Sequence, residues 1–131
     1  INMAERYKRY LTSGVTTETL VYTAPDDGVV GNLGPANSVI IGLLVASTSA
    51  SSGELTVELV DHASAGGGAP KTVRLAHTIP LPASTSVDLI PGKLVVQSGD
   101  NSAATPALTG DKINVTSTQS CDITISVVER V

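Results

Sequence analysis

A run of eight apolar or glycine residues, Val39–Ala46, limits what this chain can fold into. A membrane-spanning helix requires about 20 apolar residues, so the run is far too short to cross a bilayer. Its leading Val and Ile residues favour one strand that is buried on both sides. Alternation along that strand places Val39, Ile41, Leu43 and Val45 on one side and Ile40, Gly42, Leu44 and Ala46 on the other.

Only one side of this strand can face the core of a small sandwich, so the other side needs a cover. Ile40 and Leu44 would each gain roughly 1.5–3 kcal/mol on burial. Because the sequence offers no helix to lie over them, we expect a second copy of the chain to cover Ile40 and Leu44. This pattern predicts a protein that works by assembly.

The rest of the chain is typical of short strands joined by turns. Alternating segments rich in Val, Ile, Leu and Thr are separated by Gly, Pro, Asp and Ser, and no segment shows a 3.6-residue period. We predict an all-β, antiparallel, jelly-roll-like β-sandwich of about eight short strands with an extended N-terminal arm. The predicted strands are Thr16–Ala24, Val39–Ala46, Glu54–Asp61, Lys71–Ile79, Ser86–Ile90, Lys93–Gln97, Asp111–Ser117 and Cys121–Val128.

The arm is assigned to residues 1–13, with Met3 as the candidate natural start, and residues 14–131 to a single sandwich domain. Three of the eight basic residues and two of the three tyrosines fall within Arg6–Tyr10. One interpretation is an edge strand whose charges prevent aggregation. The other is a docking arm for an acidic neighbour, in which Arg6, Tyr7, Lys8, Arg9 and Tyr10 form the contact. The net charge of −4 means that identical subunits offer such an acidic surface.

Charge and composition disfavour several classes of function. A net charge of −4 and a pI near 4.9 are unlike those of a general nucleic-acid binder. With three tyrosines and no Phe or Trp, the chain has few rings on which sugars or bases could stack. No secretory leader and no membrane span is recognisable. The expected partners are therefore other proteins.

Catalytic and metal-binding patterns are weak. Asp61-His62 lies among many serines, but the G-x-S-x-G motif of hydrolases is missing. His77 fits a structural role in its strand, and two histidines and one cysteine do not have the spacing of a zinc site. Turn chemistry explains the oxygen-rich segments Asp26-Asp27 and Asp100-Asn101-Ser102. We predict that the protein is not an enzyme and has no catalytic, metal or cofactor site.

The C-terminal half carries a family resemblance, in the turn and strand pattern of Pro80–Ser86, Lys93–Val96, Gly110–Val115 and Asp122–Glu129. This pattern, over roughly Val39–Glu129, resembles small β-rich virion proteins of tailed bacteriophages. Either Gly99-Asp100 or Gly110-Asp111 fits the position of their Gly-Asp pair. The resemblance implies a non-enzymatic virion structural protein located in the virion and assembled in the host cytoplasm.

Within that family, the first expectation is a capsid decoration (cement) protein that stabilises the shell. It would form a homo-oligomer, with a trimer as one expected form, and would contact the major capsid protein or other virion proteins. The alternative is a module of the neck, tail or fibre that binds a host glycan or another virion protein. In that case the loops Ala63–Pro70 and Asn101–Thr109 would carry the recognition.

Overall fold

The computed structural model describes residues 5–24, 38–61, 71–90, 92–96 and 110–130, without the side chains of Glu5 and Arg130. The regular secondary structure assigned in these ranges consists of β-strands alone. The strands are β1 (Glu5–Val15), β2 (Thr19–Thr23), β3 (Ser38–Ser47), β4 (Gly53–Val60), β5 (Thr72–Leu81), β6 (Ser86–Asp88), β7 (Leu94–Val96), β8 (Lys112–Ser117) and β9 (Cys121–Arg130). The two predicted recognition loops, His62 and the oxygen-rich segments 26–27 and 100–102 lie outside the described residues.

These strands form two antiparallel sheets. Sheet A has the order β1-β9-β3-β6, with β7 also paired to β3, and sheet B has the order β2-β8-β4-β5. Because β6 pairs with residues 44–46 of β3 and β7 with residues 38–40, the two short strands share one position at the edge of sheet A. Successive strands mostly alternate between the sheets, as in a jelly roll. The predicted all-β, jelly-roll-like sandwich is confirmed.

The core lies between the inner faces of the two sheets. Alternation on the central strands places Leu43 and Ile125 of sheet A, and Val57 and Ile113 of sheet B, fully out of contact with solvent. Strands that bury every second side chain in this way are typical of a two-layer sandwich, with a polar or solvent-facing residue between each pair of core residues. The outer side of each sheet is therefore the surface that the fold offers to other molecules.

The segment predicted as an arm is an integral part of sheet A. β1 pairs with β9 from Glu5 opposite Arg130 to Val15 opposite Cys121, and a bulge interrupts the pairing between Thr12 and Val15. Gly14 lies in this bulge with φ of +67°, a backbone conformation that glycine adopts without strain. β1 thus runs across the suggested boundary at residue 13. Of the two interpretations of this segment, an edge strand and a docking arm, the structure shows the edge strand. Its role in docking remains a prediction.

A second bulge changes the faces of β3. The register between β3 and β9 shifts between Ile40 and Gly42, so Ile41 is an extra residue on β3. Ile40 consequently lies on the same side as Leu43 and Val45 and is fully buried in the core. The assignment of Ile40 and Leu44 to a common outer side is therefore wrong for Ile40. Leu44 does face outward and is 43% exposed.

Candidate interaction surface

The outer face of sheet A carries a row of apolar side chains that crosses the whole sheet. Tyr7 of β1 lies directly opposite Val128 of β9, Val128 opposite Val39 of β3, and Val39 opposite Val95 of β7. Residues paired in this way present their side chains on the same face of the sheet. Tyr7 is 79% exposed and Val95 is 56% exposed, so both ends of this row are open to solvent. We call Tyr7, Val128, Val39 and Val95 the apolar row.

Two further exposed leucines lie farther along the same face. Leu11 is paired with Thr124, and Thr124 with Leu44, so the two leucines flank a threonine in a row parallel to the first. Leu11 is 65% exposed. The outward-facing bulge residue Ile41 is also exposed and lies on β3 between Val39 and Leu44. Large apolar side chains are thus grouped on one face, which is the usual mark of a contact site on a soluble protein.

Small and charged residues complete this face. Between the apolar row and the row of Leu11, Thr124 and Leu44, Arg9 is opposite Ser126 and Ser126 is opposite Gly42, so this middle row combines a charged residue with two small ones. Asp88 of β6 is opposite Leu44 at the far edge of the sheet and is exposed. The face therefore has two rows that carry apolar side chains, a mixed middle row in which the exposed Ile41 lies beside Gly42, and Asp88 at one edge.

The inner side of sheet A holds a polar cluster that the sequence analysis did not anticipate. Glu129 of β9 is 2% exposed, and its Oε2 accepts hydrogen bonds from the hydroxyls of Tyr22 at 2.7 Å and Tyr10 at 2.8 Å. Its Oε1 lies 3.1 Å from Nζ of Lys8. The rings of Tyr10 and Tyr22 meet edge to face, with centroids 5.2 Å apart. We call Glu129, Tyr10, Tyr22 and Lys8 the Glu129 cluster.

The ionisation of the Glu129 cluster follows from these contacts. Burial acts to raise the pKa of Glu129, but the hydrogen bonds from Tyr22, Tyr10 and Lys8 outweigh burial and hold the pKa below its ordinary value. Burial, together with the hydrogen bond to Glu129, raises the pKa of Tyr10 to about 12. At neutral pH the carboxylate is therefore ionised while the tyrosine hydroxyl stays protonated and donates. The cluster ties β1 to both β9 and β2.

The five predicted arm residues divide between the two sides of β1. Lys8 and Tyr10 point inward and bind Glu129, so their charge and hydroxyl serve the fold of the chain itself. Tyr7 and Arg9 lie on the outer face, and Arg6 is exposed on the opposite side of the strand. Alternation along a strand over residues 6–10 predicts the same division, with Tyr7 and Arg9 on one side and Arg6, Lys8 and Tyr10 on the other. Of the two residues predicted on β3, Leu44 lies on the outer face with Tyr7 and Arg9, while Ile40 is buried.

Sequence reasoning missed the apolar row on the outer side of sheet A and the Glu129 cluster on its inner side. The apolar row joins residues from four strands, and only the strand order and register bring Tyr7, Val128, Val39 and Val95 together. Glu129 had a detectable signal, because it continues the inward alternation of Cys121, Ile123, Ile125 and Val127 on β9. A carboxylate at an inward position requires partners, and the inward tyrosine and lysine of β1 could have been proposed for that role.

Of the residues considered for catalysis or metal binding in the sequence, Asp61, His77 and Cys121 lie among the described residues. Within the described ranges, no group of three or more His, Cys, Asp and Glu residues could hold a metal ion. His77 is exposed on β5. Cys121 is fully buried, its Sγ lies 3.7 Å from the carbonyl oxygen of Val15, and burial raises the pKa of its thiol. A buried thiol of raised pKa is a poor nucleophile.

No helix among the described residues is long and apolar enough to span a membrane.

No protein-family model matches the chain, and no curated protein matches it in sequence. Among solved structures, the chain is similar to a chain in the structure of infectious bursal disease virus strain Gx, with 17% sequence identity and a TM-score of 0.49. That match covers 98% of this chain and 29% of the viral chain. A chain in the structure of strain Gt gives 16% identity and a TM-score of 0.46, and the match covers 100% of this chain and 31% of that one.

This chain thus spans less than a third of the length of the viral chains that it matches. Its function is therefore inferred from its own residues.

Proposed function

We propose that this chain is a non-enzymatic structural protein of a virion, which acts by self-association and by contact with other virion proteins. The observation that carries this proposal is the outer face of sheet A, where Tyr7, Val95, Leu11 and Leu44 leave large apolar areas in water. A monomeric protein gains nothing from such a grouping, whereas a subunit of an assembly buries it. Jelly rolls occur in viral capsid proteins but also in lectin domains and cupins, so the fold alone does not decide the function.

The size of this face sets the strength of the contact that we expect. Four strand positions spaced by about 4.8 Å, and six residues of β9 rising about 3.4 Å each, give a projected area of roughly 400 Å². A stable protein–protein interface of standard size buries about 800 Å² on each partner. One such contact alone is therefore weak. Repetition by symmetry on a shell makes weak contacts effective, because each bound copy raises the local concentration of the next.

In its finer form, the proposal is a capsid decoration protein of a tailed bacteriophage, assembled in the host cytoplasm. The resemblance of Pro80–Ser86, Lys93–Val96, Gly110–Val115 and Asp122–Glu129 to small phage virion proteins supports this form. The cement role also fits a small sandwich that presents one apolar face. The alternative, a neck, tail or fibre module that binds through its loops, depends on segments outside the described residues, so no described contact favours it.

Electron cryo-microscopy of purified particles tests the proposal. Particles would be assembled with the wild-type chain, with Leu44→Asp, or with the control Leu20→Asp, which changes an exposed leucine on the outer face of sheet B. We expect density for the chain on shells carrying wild-type protein or Leu20→Asp, and strongly reduced occupancy for Leu44→Asp. Particles that lack the wild-type chain altogether would contradict the virion role. Full occupancy by Leu44→Asp would contradict the role of this face.

Point variants are preferable to deletion of residues 3–13. Such a deletion would remove most of β1, and with it Lys8 and Tyr10, two of the three partners of the Glu129 carboxylate. A buried carboxylate without its partners is strongly destabilising. Loss of binding by the deletion variant would therefore not separate docking from folding.

A further inference from the structure

We propose that the open edge of β1 binds an extended acidic segment of another protein, which joins sheet A as a further antiparallel strand. This contact is part of the association with other virion proteins in the proposed function, on which it rests. It adds the edge that makes the contact and the chemistry of the partner segment. Strand addition of this kind gains its affinity from backbone hydrogen bonds and its specificity from alternate side chains.

β1 has a long and regular edge. Its pairing with β9 runs from Glu5 to Thr12 without a shift of register, and β9 is its one partner among the described strands. In an antiparallel ladder, every second residue directs its backbone N–H and C=O groups away from the neighbouring strand. The described strands leave those groups of β1 at the border of sheet A, where one more strand can pair with them.

The other described edge strands are short or irregular. β2, β6 and β7 have five, three and three residues. β5 has ten residues, but its pairing with β4 shifts register twice, Thr78 has a φ of +45°, and Pro80 has no backbone N–H to donate. Proteins use short edge strands, bulges and proline to prevent pairing at a sheet edge. The bulge of β1 begins only beyond Thr12, so the residues before it keep an edge that can accept a strand.

Charge selects the partner of this edge. β1 carries three basic residues and one acidic residue, a net charge of +2 (three minus one) in a chain whose net charge is −4. Lys8 is bound to Glu129, while Arg6 and Arg9 are exposed on opposite sides of the strand. A second copy of β1 would double the positive charge along one ladder, whereas an acidic strand would neutralise it. Because Asp88 is the one acidic residue in the other described edge strands, a segment of a different protein is the better partner.

Two exposed apolar residues define the rest of the pattern. Tyr7 and Leu11 flank Arg9 on the outer side of β1 and are 79% and 65% exposed. Charges alone would protect the edge, so the exposed ring and leucine indicate a contact. An added strand would place apolar side chains opposite Tyr7 and Leu11 and a carboxylate between them, opposite Arg9. On the inner side, a second carboxylate would lie opposite Arg6, and each of these cross-strand pairs stabilises the sheet.

Titration of the full chain with peptides, followed by NMR of its backbone amides, tests this contact. The probe is the end-blocked hexapeptide Val-Thr-Glu-Thr-Val-Glu, which supplies the expected pattern opposite Leu11 to Arg6. The matched control is Val-Thr-Lys-Thr-Val-Lys. We expect the acidic peptide to shift the amide signals of β1 and to bind at least about tenfold more tightly than the basic peptide, because only its carboxylates attract the two arginines.

Charge variants of the protein assign the binding to this edge. Arg9→Glu should weaken binding of the acidic peptide about fivefold and strengthen binding of the basic peptide, because it reverses the charge opposite the third residue of the peptide. The control Arg74→Glu, which changes an exposed arginine of the edge strand β5, should leave both affinities unchanged. Equal effects of the two substitutions, or equal affinity of the wild type for the two peptides, would overturn the proposal.

N-methylation of the peptide distinguishes strand addition from simple charge attraction. One version of the acidic peptide is N-methylated at its odd residues and another at its even residues, and in an added strand only one of these sets directs its N–H groups toward β1. We expect one version to lose binding and the other to keep it. Retention or loss of binding by both versions would overturn strand addition. These measurements use the isolated chain, so particles that lack the chain would overturn the virion role and leave this contact standing.

Discussion

One row of paired residues from each sheet shows how the outward sides of the two sheets differ. On sheet A, the directly paired residues across four strands are Tyr7, Val128, Val39 and Val95. On sheet B, the corresponding row is Leu20, Asn114, Glu58 and Arg74. Both sheets bury apolar side chains toward each other, so the core does not require this difference. The difference instead supports the proposed role of the outer face of sheet A as the contact surface.

Sheet A also departs from sheet B on its inner side. The best buried inner residues of β4, Leu55 and Val57, are apolar, whereas β9 places Glu129 at an inward position with three donors around it. Buried polar groups of this kind demand their partners and so fix one arrangement of the strands. We infer that the Glu129 cluster holds the edge strand β1 in place, and thereby holds Tyr7 and Arg9 on the outer face.

The largest loss of stability is expected at Ile40, which the bulge in β3 places on the opposite side from Leu44. Ile40→Ala should lower the free energy of unfolding by about 2–5 kcal/mol, because it leaves a cavity in a packed core. Leu44→Ala, four residues away, should change it by less than about 1 kcal/mol, because the side chain is half exposed in the isolated chain. Urea denaturation at low protein concentration measures both. Equal losses for the two variants would contradict the bulge and the assignment of faces.

A somewhat smaller loss is expected in the Glu129 cluster. Glu129→Ala removes the acceptor of two tyrosine hydroxyls and the partner of Lys8, and we expect it to cost about 2–3 kcal/mol of unfolding free energy. The control Glu54→Ala changes an exposed glutamate of sheet B and should have an effect within about 0.5 kcal/mol. Denaturant titration at pH 7 compares the two. If Glu129→Ala were as harmless as Glu54→Ala, the cluster would not hold β1.

The same cluster predicts how stability depends on pH. Because the pKa of Glu129 is lower in the folded chain than the ordinary 4.5, its contribution is present above pH 4.5 and is lost as the pH falls through the folded value. Because the pKa of Tyr10 is raised from 10.0 to about 12, its contribution is present below pH 10 and is lost as the pH rises toward 12. Melting temperatures between pH 3 and 12 should fall at both ends.

The matched variants assign this pH dependence to particular groups. Glu129→Gln should reduce the fall in melting temperature at low pH (the acid limb), and Tyr10→Phe should reduce the fall at high pH. The control Glu54→Gln should leave the melting temperature at both ends close to that of the wild type. An acid limb that is unchanged in Glu129→Gln would show that other carboxylates cause it.

The sequence predicted the strands well and their contacts poorly. Segments such as Glu54–Asp61 and Cys121–Val128 alternate so regularly that β4 and β9 begin within one residue of their predicted positions. Alternation assumes an unbroken strand, however, and the extra residue Ile41 in β3 reverses the pattern for Ile40. A bulge is fixed by pairing with a neighbouring strand, and that pairing is not encoded in the strand itself.

The candidate surface could be predicted only where alternation within a single strand determines which side chains share a face. The outward position of Leu44 could be predicted from β3 alone, and the shared outward position of Tyr7 and Arg9 from β1 alone. The apolar row could not, because it depends on the register of β1 against β9, β9 against β3, and β3 against β7. Long-range pairing of this kind is the part of a β-sandwich that a single sequence specifies least directly.

Sedimentation equilibrium of three proteins tests most directly whether the outer face of sheet A is the contact surface. Wild-type protein, Leu44→Asp and Leu20→Asp would be compared over a wide concentration range at neutral pH. We expect self-association of the wild type and of Leu20→Asp with equal affinity, and a dissociation constant at least tenfold higher for Leu44→Asp, equivalent to about 1.4 kcal/mol. Wild-type protein that stays monomeric throughout, or equal weakening by the two substitutions, would contradict the assignment of this face.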